Sequence, residues 1–394
     1  MKALALELID SIICGLDVPS LKACSLAGSL VRASCQRILL RSLSVRVADG
    51  PLRRGYRPSR RPANHIAARD LLIQSPHVAH YITHLKVQFL SVTVDTAAAD
   101  ILEELLAKLS SVRYCTLRAG DTVNSGSIFN WVDILPATFT DFLSHQQLEK
   151  LWVDRIAAIP LPILSQMLGA TRFLSMIYVS LDALEDHTRS IPLYQPSIET
   201  LLLNSKCDRV AEQLCCPPFK SYMTILRHLS IVVWASDDLH GPFLSSLPRT
   251  LRSIRFSFMV PYTTFILPNL SLPEVVTAEF ALPLGRIHPE YMNPIVSFLA
   301  PGVAPVLGDI IIANRYPMNW IFSPPELAAL DSALDAHPGS PRVRLRGTFF
   351  QDEALQKFLS CAQAGMPRAH QAGRLFIEQE PERNNYKRLP QSED

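Results

Sequence analysis

The chain has 394 residues, of which 48% are hydrophobic and 19% charged, and its formal net charge is +2. This apolar content suffices for a folded core, and the nearly balanced charge gives no general electrostatic case for nucleic acid or membrane as a partner. No run of about eighteen apolar residues is present, so no membrane span is predicted. The eight cysteines show no Cys-x-x-Cys spacing, and acids at Glu7 and Asp10 argue against a signal peptide. We therefore expect a cytoplasmic or nuclear protein.

Residues 1–46 predict a small helical module. The first helix carries apolar residues at helical steps of three and four, namely Leu6, Ile9, Ile13 and Leu16. Asp17 and Pro19 suit the cap and first turn of a second helix, and a third helix is predicted to run to about Leu43.

Three segments of this module, at 4–9, 21–26 and 39–43, resemble the F-box. They resemble most closely the F-box-like N-terminus of mushroom-type fungal proteins that continue into leucine-rich repeats, and residues 366–375 are similar to the closing phrase of those chains. In that family the three-helix module docks on the Skp adaptor of an SCF-type cullin–RING ubiquitin ligase, and the repeats bind the target protein. The resemblance implies a substrate-recognition subunit with these adaptor-binding residues: Leu4, Leu6, Ile9, Leu21, Leu30 and Leu40.

Three departures from the family pattern leave alternatives open. The usual Leu-Pro near the start is Leu4-Ala5, and residues 27–30 lack the arginine and tryptophan found after the second helix in the family. The Leu-Phe of the family near the end of the third helix is Leu39-Leu40. One alternative is a leucine-rich-repeat scaffold whose degenerate F-box no longer engages the ligase. Another is that the helices only cap the array and shield its first repeat.

Residues 47–66 predict a linker. Five arginines and three prolines lie between Pro51 and Pro62, with little to bury. The paired arginines also fit a nuclear-import signal, although a solvated connection is the simpler interpretation.

A Leu-x-x-Leu-x-Leu phrase, with substitutions, organises residues 67–378. Its nine copies begin at positions 82, 109, 148, 174, 198, 226, 251, 275 and 307. Such spacing is typical of a leucine-rich solenoid, in which the last apolar pair of each copy faces the core from a short strand. We therefore predict an α/β fold. In it, the helical module precedes an irregular solenoid with a parallel sheet on one face and helices and loops on the other, and a polar tail follows at 379–394.

Further elements follow from local pattern. Helices are predicted at 96–109, 324–334 and 352–364, and closing strands at 342–347 and 374–378. The long interval at 115–147 indicates an insertion at one rim of the array.

The sequence contains no recognisable catalytic motif, and we predict neither enzyme activity nor a cofactor. The best metal-like cluster is His77, His80 and His84, but Pro76 precedes it and His84 begins a predicted strand. No metal site is therefore predicted.

An array without catalytic residues points to binding of an unknown protein partner, with no nucleic acid and no membrane. The candidates are polar and aromatic residues on the predicted sheet face: Lys86, Gln88, Arg113, Trp152, Asp154, Trp234 and Arg255. Exposed aromatics often anchor partners, although Trp152 and Trp234 could equally pack between turns.

Overall fold

The computed structural model describes most of the chain. The described residues are 6–47, 63–120, 128–135, 138–182, 194–204, 207–233, 240–259, 270–282, 292–314, 323–349 and 352–379. The chain forms two compact units, residues 1–198 and 199–394, so the division falls inside the predicted solenoid.

The first unit begins with three helices, α1 (Leu6–Cys14), α2 (Val18–Ala27) and α3 (Ser29–Leu39). They enclose a small core of their own, in which Ile13, Leu21 and Cys35 are buried. The carboxylate of Asp17 accepts a hydrogen bond from the backbone N–H of Ser20 at 3.0 Å and caps α2 as predicted.

The predicted third helix is wrong beyond Leu39, where α3 ends. A strand that the sequence analysis did not predict, β1 (Ser42–Val47), begins three residues later. Leu43 and Val45 are buried in it, and they align with Leu85 and Val87 of the first predicted repeat. Residues 40–45 therefore hold an additional copy of the apolar phrase, and the predicted module boundary at 46 lies inside a strand of the sheet.

The further strands that join β1 in the sheet of the first unit are β2 (Ala63–Asn64), β3 (His84–Phe89), β4 (Tyr114–Ala119), β6 (Leu148–Asp154) and β8 (Thr171–Ile177). The sheet is parallel throughout the described residues, and its strands are neighbours in the order β2, β1, β3, β4, β6, β8. A separate parallel pair joins β5 (Phe129–Asn130) to β7 (Ile156–Ala157).

Helices lie between these strands in the chain. They are α4 (His65–Gln74), α5 (Thr96–Lys108), α6 (Trp131–Ile134), α7 (Thr138–His145) and α8 (Leu161–Ala170), with a 3₁₀ helix at Pro76–Tyr81. Four of them pack in series, α4 on α5, α5 on α7 and α7 on α8. The helix predicted at 96–109 is confirmed, and its N-terminus is capped by Asp95, whose carboxylate accepts from the N–H of Ala98 at 2.7 Å.

The second unit has a parallel sheet whose described strands are neighbours in sequence order. They are β9 (Thr200–Leu203), β10 (His228–Val233), β11 (Ser253–Phe258), β12 (Thr277–Leu282), β13 (Asp309–Asn314), β14 (Arg342–Gly347) and β15 (Leu375–Gln379). The helices are α9 (Asp208–Cys215), α10 (Pro217–Lys220), α11 (His240–Ser245), α12 (Met292–Phe298), α13 (Pro324–Ala336), α14 (Asp352–Gly365) and α15 (Pro367–Gln371), with a 3₁₀ helix at Ser221–Ile225. The two closing strands and the helices predicted from 324 and 352 are confirmed.

The apolar phrases set the register of the second unit as predicted. Leu229, Ile254 and Ala278 align across β10, β11 and β12, and all three are buried. Each unit is therefore an α/β structure in which successive phrases stack as parallel strands.

Two phrases of the first unit are displaced by three residues from their predicted positions. The strand β4 buries Cys115 and Leu117, not the predicted Tyr114, and β8 buries Leu174 and Met176. The prediction erred because a cysteine fills the usual leucine position in β4, and because Thr171 opens the phrase in β8. Among the described residues, no helix has the length and apolar character needed to cross a membrane.

Candidate interaction surfaces

Side chains that alternate with the core positions of the first sheet form a second surface, because successive residues of a strand point to opposite faces. On β4, for example, the buried Cys115 and Leu117 alternate with the partly exposed Tyr114, Thr116 and Arg118. We call this surface the outer strand face and define it by Arg46, His84, Lys86, Gln88, Tyr114, Arg118, Lys150, Trp152, Asp154 and Phe173.

One part of the outer strand face is a row of rings. The ring of His84 stacks on that of Tyr114, with centroids 4.3 Å apart and planes 11° apart. The Trp152 and Phe173 rings lie 5.4 Å apart. The Nζ atom of Lys150 lies 5.6 Å from the Tyr114 ring centroid and 5.8 Å from that of Trp152, within the range of cation–π attraction. The ammonium group is therefore held among the aromatic side chains.

A polar row follows toward the carboxyl ends of the strands. The Nε atom of Arg118 lies 3.3 Å from Oδ2 of Asp154, and Arg155 approaches the other oxygen of that carboxylate at 3.9 Å. Gln88 donates from Nε2 to the carbonyl oxygen of Gly120 at 2.9 Å. Gln88 and Asp154 are both 8% exposed. These two side chains are therefore the buried members of the row, and Arg118 is paired with the buried Asp154.

The charges in this row act on one another. Burial lowers the pKa of Lys86, and the positive charges of Arg118 and Arg46 lower it further, against the opposing effect of Asp154. Burial raises the pKa of Asp154, while Arg118 and Arg155 oppose that rise. Lys86 therefore stands in a locally positive field.

A paired charge borders the face. The Nη1 atom of Arg113 lies 3.2 Å from Oε1 of Glu149, and the Tyr114 hydroxyl donates to the same carboxylate. The hydrogen bond from Tyr114 lowers the pKa of Glu149, and the nearby Arg113 and Arg172 lower it further. Arg113 thus lies just before β4, at the border of the outer strand face.

The corresponding face of the second unit is a ladder of ion pairs. Arg255 pairs with Glu279 at 3.2 Å. Asp309 lies 2.6 Å from Arg342 and 2.9 Å from Arg344. Glu378 in turn pairs with Arg344 and Arg346. Cations on these described strands are thus largely neutralised within the protein.

The predicted partner-binding residues are therefore divided between surfaces. Lys86, Gln88, Trp152 and Asp154 lie together on the outer strand face, whereas Arg113 borders it. Arg255 lies in the second unit, on β11, and Trp234 lies outside the described residues.

Sequence reasoning missed Arg46, Arg118, Lys150 and two of the rings around Lys150, those of Tyr114 and Phe173. The register error in β4 placed Arg118 outside the predicted phrase and selected Arg113 in its place. Arg46 was missed because most of β1 was assigned to the helical module and no strand was predicted there. The signal was available, since these residues occupy the alternate positions of strands whose core residues are Val45, Leu117 and Val153.

A second candidate surface lies on the helical module. Four large apolar side chains of α1 and α2 are exposed although the module has its own core: Leu8 (55%), Ile12 (60%), Val18 (47%) and Leu26 (82%). Leu8 and Ile12 are four residues apart in α1, so they share one face of that helix. Leu8 and Ile12 therefore form an exposed apolar cluster on α1, a candidate protein-interaction site.

Two of the predicted adaptor-binding residues, Leu21 and Leu40, have described side chains, and neither belongs to that surface. Leu21 is 3% exposed and belongs to the core of the module. Leu40 follows α3 and is half-buried. Leu4 lies outside the described residues, as do the side chains of Leu6, Ile9 and Leu30, whose backbones belong to α1 and α3.

Within the described part of the chain, no group of three or more histidine, cysteine or acidic side chains is arranged to hold a metal ion. His84 stacks on Tyr114, and its Nδ1 lies 2.9 Å from the Thr83 hydroxyl.

Comparison with known proteins gives no family: no protein-family model and no curated protein sequence matches this chain.

Proposed function

We propose that this chain is a non-enzymatic substrate-recognition subunit of an SCF-type cullin–RING ubiquitin ligase. In this proposal the helical module docks on the Skp adaptor, and the outer strand face binds the target protein. The observation that carries the proposal is the exposed apolar cluster on a three-helix module that already has its own core.

The cluster supports docking on energetic grounds. Fully burying one leucine or isoleucine side chain is favourable by roughly 1.5–3 kcal/mol. Leu8 and Ile12 are each more than half exposed, so most of that free energy is available to a partner. An apolar partner surface that covers both would gain several kcal/mol before the entropic cost of association, on the order expected for a small hot spot.

A second candidate function is a protein-binding scaffold that does not engage the ligase. The position of Leu21 favours it, because a residue expected at the adaptor contact is instead buried in the module. In this case the outer strand face keeps its partner and the exposed cluster of α1 serves a different protein.

Isothermal titration of the full chain with purified Skp adaptor tests the proposal. The test variant is Leu8→Asp with Ile12→Asp, and both side chains are exposed, so the fold should persist. The matched control is Val132→Asp with Val306→Asp, the same kind of change at side chains that are 69% and 51% exposed. We expect binding by the wild type and the control, and loss of binding in the test variant.

The proposal fails if the folded wild type does not bind the adaptor at about 10 μM, a concentration at which a specific docking interaction is readily detected. It also fails if both variants bind like the wild type, since the adaptor would then contact a different surface. Circular dichroism of each variant establishes that the fold is retained.

A further inference from the structure

The outer strand face carries an excess of positive charge that the second unit does not share. Strands β1, β3, β4, β6 and β8 contain two carboxylates, Glu149 and Asp154. The same strands contain five cationic residues, which are Arg46, Lys86, Arg118, Lys150 and Arg172. The formal charge of the whole chain is only +2, yet four of these five cations, all except Arg172, belong to the outer strand face.

The two carboxylates are already engaged. Asp154 is paired with Arg118 at 3.3 Å, and Glu149 is paired with Arg113 at 3.2 Å. The register places Lys86 diagonally between Arg46 and Arg118 on the neighbouring strands, roughly 7–8 Å away on either side. An anionic group arriving above Lys86 would meet several cations at once.

The rings strengthen this preference for negative charge. The stacked rings of His84 and Tyr114 are 4.3 Å apart, close to the spacing of about 4.8 Å between neighbouring strands. They therefore stack along the sheet, and their edges point away from it. The edge of an aromatic ring is the positive end of its quadrupole, which attracts carboxylates, whereas a nucleobase needs an open ring face.

We propose that the outer strand face binds an acidic polypeptide segment of the partner. Its carboxylates contact Lys86 and Arg118, and its apolar side chains lie against Trp152. This inference rests on the part of the proposed function that assigns partner binding to the outer strand face, and it is independent of docking on the Skp adaptor.

Fluorescence anisotropy on the full chain tests it, with a fluorescein-labelled ten-residue peptide of glutamates around a central phenylalanine. The variant Lys86→Glu with Arg118→Glu should bind this peptide about tenfold or more weakly at low salt, because two attractions become repulsions. The matched control, Lys220→Glu with Lys357→Glu, makes the same change in net charge at exposed positions of the second unit and should bind like the wild type.

A measurement on the wild-type protein tests the proposal independently of whether any variant folds. Carbodiimide coupling joins carboxylates to amines in direct contact, and the chain has only nine lysines. Mass spectrometry should find the glutamate peptide attached chiefly to Lys86 and Lys150.

Three results would overturn the proposal. The first is equal weakening in both charge-reversal variants, which would indicate bulk charge alone. The second is coupling spread over lysines outside the outer strand face. The third is tighter binding of a labelled ten-nucleotide uridine RNA than of the peptide, with loss in the Lys86→Glu, Arg118→Glu variant, which would assign the surface to nucleic acid. Adaptor binding is measured separately, so its absence would leave these outcomes unchanged.

Discussion

Replacing Asp331 with alanine should release α15 from α13. The Asp331 carboxylate is 3% exposed and accepts two backbone hydrogen bonds from the first turn of α15, from Ala369 N–H at 2.8 Å and Arg368 N–H at 3.1 Å. A hydrogen bond to a charged group contributes about 1.5–3 kcal/mol, and a donor left buried without a partner costs more. The substitution should therefore cost roughly 3–5 kcal/mol locally.

Hydrogen–deuterium exchange of the full chain measures this effect, since local opening is governed by local stability. Peptides covering 366–379 should exchange roughly a hundredfold to a few thousandfold faster in the Asp331→Ala variant, because about 1.4 kcal/mol corresponds to a factor of ten. Asp331→Asn keeps one acceptor oxygen and should fall between the variant and the wild type.

The control is Asp335, one helical turn later. Its carboxylate pairs with Arg368 and Arg374, both at 3.3 Å, but its side chain is 47% exposed. Exposed pairs contribute about 0–1 kcal/mol, so Asp335→Ala should change exchange less than about fivefold. Equal effects of the two alanine substitutions, or no effect of Asp331→Ala, would refute the argument that the buried cap holds α15.

Three further predictions concern buried positions. Burial raises the pKa of the Cys115 thiol to about 12, so Cys115 should resist iodoacetamide at pH 8 in the folded protein while the exposed Cys14 reacts; alkylation of both at one rate would contradict this. Burial lowers the pKa of His337 in the folded protein. Below about pH 6.5 the unfolded state therefore binds a proton more readily than the folded state, and the free energy of unfolding decreases as the pH is lowered. Thermal unfolding between pH 7.5 and 5.5 should therefore show a smaller loss for His337→Gln than for the wild type, and equal losses would count against it. In Gly365→Ala the new Cβ would lie 2.5 Å from Leu327 Cδ1 and 2.7 Å from Leu327 Cβ. We therefore expect urea unfolding to show a free energy of unfolding lower by about 1–3 kcal/mol. An unchanged urea midpoint would contradict this, because the two helices would then have moved apart at no cost.

The sequence supported prediction of the strands where leucine, isoleucine or phenylalanine fills the apolar positions. The phrases at 226, 251 and 307 coincide with β10, β11 and β13 in the correct register. The predicted register was wrong in β4 and β8, where Cys115 and Thr171 occupy such positions, although it was correct in β12 with the small Ala278. Burial in a parallel sheet tolerates these residues because neighbouring strands supply the missing apolar surface.

The candidate site was only partly predictable for a related reason. Its residues come from five strands, and their proximity depends on a register that one misplaced phrase disturbs. Lys86 and Trp152 could be identified from single strands. The positive field around Lys86 could not, because it arises from Arg46 and Arg118 on the two neighbouring strands.

The helical module shows a different limit. Helical periodicity indicated that the module would bury one face, but it did not indicate which apolar residues would stay exposed. Leu21 was expected at the adaptor contact and is buried, whereas Leu8 and Leu26 are exposed. Packing among three short helices decides that difference, and apolar character alone does not report it.

Hydrogen–deuterium exchange of the full chain with and without a saturating concentration of purified Skp adaptor tests the central claim most directly. The proposed function predicts slower exchange in residues 6–27, which contain α1 and α2, and unchanged exchange in β13 and β14 of the second unit. Unchanged exchange throughout residues 6–27, in a sample whose adaptor is shown to be folded and active, would contradict it.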